Sequence, residues 1–217
     1  MPENGIDRQG MGGAESAIGL RGSVRGGMTL LNDQVCIVTG AGQGLGRAIA
    51  LEMAKEGAVV ALLERNAGTL EKTAKDIAAA GGKAVPYQLD LTDYEVYGKV
   101  VADLLAKHKK IDVLVNNAAI NPPSLTILND TLENWRRTIT VNLETVFMGS
   151  KLVAPHMVER KSGRIVSVAS IQGFASSGEV GSYNAAKGAI IAYMQSMAVE
   201  LGPHNILVNA VAPGFMR

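Results

Sequence analysis

A chain of 217 residues, 47% of them hydrophobic, is long enough to bury a full core as one domain without disulfides or metal staples. Its 21 basic side chains nearly balance 20 acidic ones, which excludes an electrostatic footprint for nucleic acid or an anionic membrane surface and points to small molecules or like subunits as partners. No apolar run approaches the ~18 residues of a membrane span, nothing at the N-terminus resembles a secretion signal, and the single Cys36 has no partner in the chain, so a cytoplasmic setting is expected.

The first 27 residues hold eight glycines, scattered charges and no apolar periodicity. Such a segment cannot bury enough surface to offset the entropy of ordering, and a disordered Gly-rich extension is expected there. Met28 opens a segment that runs straight into the first strand, which makes it a candidate start of translation and residues 28–217 the folded domain. Glu3, Asp7 and Glu15 among the arginines disfavour an organelle transit peptide.

From Asp33 onward, short β-branched runs alternate with helical patterns. Strands are predicted at 35–39, 58–63, 84–89, 111–116, 164–168 and 206–211, and helices at 45–55, 67–80, 93–108, 132–159 and 183–201. This rhythm is that of an α/β protein with a parallel sheet. The strand runs read as continuously apolar, as they do when helices cover both faces, and Cys36 within the first of them reads as a small buried hydrophobe. Thr92 with Glu95 predicts a capping box for the third helix. Trp135 reads as a packing position of the long helix, and Arg136 and Arg137 as solvated ones.

The segment Thr39-Gly40-Ala41-Gly42-Gln43-Gly44-Leu45-Gly46 follows the first strand directly and opens the first helix. In that context Gly40 permits a tight turn, Gly44 lets the backbone approach a pyrophosphate, and Gly46 allows close packing of helix on strand. The helix N-terminus adds free N–H groups and partial positive charge. Glu64 ends the second strand, where an acidic side chain hydrogen-bonds adenosine ribose hydroxyls and repels the extra phosphate of NADP, so NAD is favoured. Arg65, next in sequence, is the feature that leaves NADP as the alternative.

Tyr183 and Lys187 stand at i and i+4 on one helix face, and Ser170 follows the fifth strand, at the sheet end where ligands of open α/β folds bind. A phenol is a weak base at neutral pH unless positive charge stabilises the phenolate, and Lys187 with the helix N-terminus offers that charge. Tyr183 then fits a proton donor to a carbonyl oxygen, or its acceptor from an alcohol, and Ser170 fits a hydrogen-bonding partner for the same oxygen. Each residue alone has an ordinary structural explanation; jointly, with the glycine turn, they point to hydride-transfer chemistry. His108, His156 and His204 are scattered without clustered ligands and indicate no metal site.

Together these residues resemble the short-chain dehydrogenase/reductase family, whose turn reads T-G-x-x-x-G-x-G. The resemblance implies a Rossmann-like doubly wound parallel sheet and extends over about residues 33–217. By it, Gly40, Gln43, Gly44, Leu45 and Gly46 cradle the cofactor phosphates, Glu64 holds the ribose, and Asp90 with Leu91 contacts the adenine. Asn117 and Ala118 lie in Asn116-Asn117-Ala118-Ala119, matching the family's N-N-A-G with Ala119 in place of the last glycine. Tyr183, Lys187, Pro213 and Gly214 border the nicotinamide end. Catalysis falls to Asn142, Ser170, Tyr183 and Lys187, with Asn142 anchoring a water that links Lys187 to solvent. The implied reaction passes a hydride between NAD(H) and a secondary alcohol or ketone. Likeness to 3-oxoacyl-carrier-protein reductases using NADPH and to sugar or polyol dehydrogenases is comparable. The resemblance also implies a dimer or tetramer, with Ala185, Ala186, Ala189 and Met194 as candidate contacts, although an intrachain neighbour explains the same residues. It further implies a helix and strand beyond Arg217, so that the chain is expected to be truncated at its C-terminus, with the sixth strand an apolar sheet edge. A non-catalytic dinucleotide-binding or subunit-interaction protein is the alternative outside enzymology.

Overall fold

Six short strands pair in parallel in the order β3-β2-β1-β4-β5-β6: β1 (Val35–Thr39), β2 (Val59–Glu64), β3 (Lys83–Gln88), β4 (Val113–Asn116), β5 (Gly163–Val168) and β6 (Ile206–Val211). The computed structural model describes residues 29–176 and 178–214, so the expectations for residues 1–27 and for Met28 lie outside the described residues. The chain winds outward from β1 to β3, returns to β4 beside β1, and winds outward again to β6. This reversal puts a crevice at the C-terminal ends of β1 and β4, the switch point where doubly wound sheets bind ligands.

Helices α1 (Gly44–Lys55) and α2 (Ala67–Ala79) cover one face of the sheet; α3 (Tyr94–His108), α5 (Thr145–Arg160) and α6 (Gly181–Leu201) cover the other. Alternation along β1 divides the core in two: Cys36 and Val38 pack with Ala50, Ala54, Leu70 and Ile77, while Ile37 packs with Leu104, Val153 and Ile190. At the opposite end of the sheet from the crevice, the Asp112 carboxylate accepts the Val35 N–H at 2.9 Å and pairs with Arg160 at 2.9 Å and Lys110 at 3.0 Å. That cluster ties β1, the entry to β4 and the end of α5 together.

Four expectations are corrected. Only β1 and β4 are buried at every position; β5 alternates, and β3 and β6 are exposed at half or more of theirs, because the outer part of a sheet is covered less completely. The helix predicted over 132–159 is three pieces, α4 (Leu132–Ile139), a π-helical turn (Thr140–Glu144) and α5. Asp93 caps α3 by accepting from the Val96 N–H, while the Thr92 hydroxyl is engaged with Asp90, so there is no Thr92–Glu95 capping box. Trp135 is exposed on α4 rather than packed. Ala186 and Met194 are buried within their own chain, in line with the intrachain explanation of those residues. Among the described residues no helix is long and apolar enough to cross a membrane.

Candidate active site

The turn between β1 and α1 has the backbone that its glycines allow. Gly40 and Gly44 adopt φ of +63° and +52°, the left-handed region that a side chain disfavours. Above Gly44 the space where a Cβ would stand is open, whereas a Cβ on Gly46 would overlap the Gly40 carbonyl oxygen. The first is thus free for a ligand and the second is required by close packing. Gln43 caps α1 without a side-chain hydrogen bond, so the first N–H groups of the helix remain directed at the crevice. A cleft of about 450 Å³ opens there, lined by Gly40, Gln43, Gly44, Leu45 and Gly46 from the turn, by Glu64 and Arg65 from the end of β2, and by Asp90 and Leu91 beyond β3. Asn117, Ala118, Ala119 and Ile120 beyond β4, with Val141 and Thr145, close its other side.

Hydrogen bonds hold this lining. The Thr39 hydroxyl donates to the Val115 carbonyl at 3.3 Å and accepts from the N–H groups of Asn117 at 2.9 Å and Ala118 at 3.0 Å. Asn117 in return donates its amide to the Thr39 carbonyl at 2.9 Å. The strand end and the turn are therefore locked to each other. Glu64 accepts three main-chain N–H groups, from Gly42, Arg65 and Asn66, at 2.9–3.1 Å. The Thr92 N–H and hydroxyl hold the Asp90 carboxyl below the usual carboxylate range, helped by Arg65 at 3.8 Å.

Beyond the ends of β5 and β6 lies the second group of candidates, outside the lining of the cleft. Lys187 is 2% exposed; its ammonium donates to the Val168 carbonyl at 2.6 Å and lies 5.7 Å from the centre of the Tyr183 ring. Burial pulls its pKa down to about 8. Ser170, two residues past the Val168 carbonyl, caps a short 3-10 turn (Ile171–Gly173) by accepting from the Gln172 N–H at 3.2 Å. Gly173 seats this loop on α6: a Cβ there would come 2.9 Å from the Lys187 carbonyl. The Ile171 N–H donates to the Pro213 carbonyl at 3.1 Å, which brings Pro213 and Gly214 beside the same loop. Ser170, Tyr183 and Lys187 thus share one end of β5.

Asn142 joins the two groups. It is fully buried in the π-helical turn, where its amide oxygen accepts from the Ile120 N–H at 2.7 Å and its amide nitrogen donates to the Ile120 carbonyl at 3.0 Å. Ile120 lines the cleft, while the π-helical turn packs on α6. Sequence reasoning missed the structural contribution of Thr39 and the cleft position Thr145. A buried-type hydroxyl closing an apolar strand was the available signal for Thr39; Thr145 lacks one.

The family model for short chain dehydrogenases matches residues 34–217. The chain belongs to the short-chain dehydrogenase family. This dehydrogenase is 38% identical over 187 residues to the 3-oxoacyl-[acyl-carrier-protein] reductase FabG of Thermotoga maritima, covering 86% of this chain and 76% of that protein. It is 37% identical over 188 residues to a cyclopentanol dehydrogenase of Comamonas testosteroni, covering 86% and 74%. Among solved structures it is similar to an NAD+-bound xylitol dehydrogenase, with a TM-score of 0.84 at 36% identity over 87% of this chain and 72% of that one. The dehydrogenase is an oxidoreductase of the NAD(P)-dependent type, and the open space over Gly44, beside an uncapped helix N-terminus, fits the anionic centre of such a dinucleotide.

Proposed function

We propose that this dehydrogenase interconverts a secondary alcohol and a ketone with NAD(H), and that Tyr183 is its acid and base. A bound nicotinamide supplies or takes up the hydride. The observation that carries the reading is the buried Lys187 ammonium under the Tyr183 ring, at the strand end that also bears Ser170. With that ammonium against its ring, Tyr183 gives its proton to a carbonyl oxygen during reduction and recovers one from the alcohol during oxidation. Ser170 orients the same oxygen by hydrogen bond. Asn142, through its hold on Ile120, fixes the wall of the cofactor cleft beside α6, and the family resemblance assigns to it the anchoring of a water for proton exchange with Lys187.

Glu64 supports NAD as the cofactor, since a carboxylate at the ribose end repels a 2′-phosphate. Arg65 lines the same cleft with an exposed guanidinium 3.8 Å from Asp90, which favours a second reading: an NADPH-dependent reductase of 3-oxoacyl groups, the activity named for the relative from Thermotoga maritima. By the same reading a second copy packs on α5 and α6, where half-exposed Phe147 stacks obliquely against Tyr193 at 6.2 Å and Ala185 is exposed.

The test is turnover with each cofactor on a panel of cyclic alcohols, polyols and 3-oxoacyl thioesters, with wild type and Tyr183→Phe. The expected result is NAD-linked turnover that Tyr183→Phe lowers by about a thousandfold or more while NAD+ binding is kept. Near-normal activity of the variant overturns the role of Tyr183. A tenfold preference for NADPH supports the second reading, and binding without turnover on any substrate supports a non-catalytic dinucleotide-binding protein.

A further inference from the structure

We infer that Glu64 is a positioning residue for the phosphate-binding turn, separately from any hydrogen bond it makes to the cofactor ribose; the inference rests on the dinucleotide reading of the cleft. The observation is the way Gly42, at the centre of the turn, is gripped. Its N–H donates to Glu64 Oε2 at 3.1 Å, and its carbonyl accepts from the hydroxyl of the fully buried Thr73 at 3.4 Å. Its α-carbon is walled in on the same side: a Cβ there would overlap Thr69 Oγ1 and come 2.8 Å from Glu64 Cγ.

Neither gripping side chain is free to follow the turn. Glu64 Oε1 is held by the N–H groups of Arg65 at 2.9 Å and Asn66 at 3.0 Å, and the single Thr73 hydroxyl proton is shared between the Gly42 carbonyl and the Thr69 carbonyl, the latter at 3.0 Å. Gly42 is thereby pinned to the end of β2 and to the first turns of α2. Two residues later stands Gly44, where the left-handed backbone faces open space. A shift of Gly42 is passed along that short span to the N–H groups that meet the phosphates, so the carboxylate that reads the ribose also sets the shape of the anion cradle.

The two roles predict effects of opposite sign on a ligand without ribose hydroxyls. If Glu64 only accepts from the ribose, removing its charge leaves binding of such an anion unchanged or improves it, because a nearby negative charge is gone. If Glu64 positions the turn, the same change weakens binding, since the Gly42 N–H loses a charged acceptor. Calorimetric titration of the full chain with ADP and with 2′,3′-dideoxy-ADP separates the cases. Glu64→Gln is expected to lower affinity for dideoxy-ADP by about tenfold. Thr73→Val is expected to lower it by about threefold, with Thr73→Ser restoring it and all three variants melting as single transitions. Unchanged or raised dideoxy-ADP affinity in Glu64→Gln, with the loss confined to ADP, overturns the inference. Should Glu64→Gln fail to fold, the Thr73 pair decides: equal affinity in Thr73→Val and wild type overturns it. A wild-type chain that binds neither nucleotide removes the dinucleotide reading itself, whereas one that binds ADP but not dideoxy-ADP removes only the positioning role.

Discussion

Burying an ammonium costs more free energy than one hydrogen bond returns, and Lys187 is buried with the Val168 carbonyl as its hydrogen-bond acceptor. Burial draws its pKa down to about 8, from the 10.5 of an ordinary lysine. The folded chain therefore releases this proton more readily than the unfolded one. Below about pH 8 both states hold the proton and the folded state carries the full penalty; between about pH 8 and 10.5 the unfolded state binds more protons, so this contribution to stability rises with pH. Lys187→Met removes the charge, a gain of about 3 kcal/mol at pH 7, but leaves the Val168 carbonyl without its donor at a cost of about 1–2 kcal/mol, so a net stabilisation of about 1–2 kcal/mol is expected, shrinking toward pH 10.5. Urea unfolding of both chains at pH 7, 8.5 and 10 reads this directly. A gap that does not change with pH would mean that the ammonium is not desolvated in the fold. A stabilisation of this sign would mark Lys187 as a residue that packing alone does not favour, as the proposed role requires.

Among the elements, α5 ends in a way its sequence does not favour. The C-cap of α5 is Lys161 at φ +51°, in the left-handed region, with its N–H on the Met157 and Val158 carbonyls. Glycine is the usual residue there because a Cβ meets the neighbouring carbonyl oxygen at a cost of about 1–2 kcal/mol. Glycine also raises the entropy of the unfolded chain, by roughly 0.4–1 kcal/mol. Lys161→Gly is therefore expected to stabilise the fold by about 0.5–1 kcal/mol, seen as a higher urea midpoint at unchanged slope; a lower midpoint would show that the Lys161 side chain contributes more than its backbone costs. Elements were legible in the sequence where local pattern governs them. β1 and β6 begin and end as predicted, and the glycine turn, Glu64, Tyr183 and Lys187 stand on the elements expected of them. The π-helical turn was not legible, because a 3.6-residue period does not register one extra residue, and the partner that fixes Asn142 is the main chain of Ile120, 22 positions away. The Thr92–Glu95 pattern misplaced the cap of α3 by one residue because Asp90, outside the motif, takes the Thr92 hydroxyl. The grip on Gly42 and the Val168 acceptor of Lys187 were hidden for a related reason: each needs main-chain atoms that only the folded sheet brings within reach.

Over the whole molecule, the two edges of the sheet differ in how they resist pairing with another chain. β3 carries Lys83 at its start and Pro86 within it, a residue without an N–H that suits an outer strand, and half of its positions are partly buried polar or apolar ones beneath α2. β6 has no charge and no proline: it reads Ile-Leu-Val-Asn-Ala-Val and among the described residues pairs only with β5. Ile206 and Val208 are buried toward α6, but Leu207 is 56% and Val211 52% exposed on the face that α6 leaves bare. An apolar, uncharged outer strand is a template for further strand pairing, and a lysine facing solvent blocks it because desolvating the ammonium opposes the new contact. Leu207→Lys should therefore suppress concentration-dependent association of this chain while changing the unfolding free energy by no more than about 0.5 kcal/mol, the usual range for an exposed position. Static light scattering of wild type and variant across a concentration series at neutral pH makes the comparison. Equal scattering from the two, whether or not the wild type associates, would show that β6 is not an association surface.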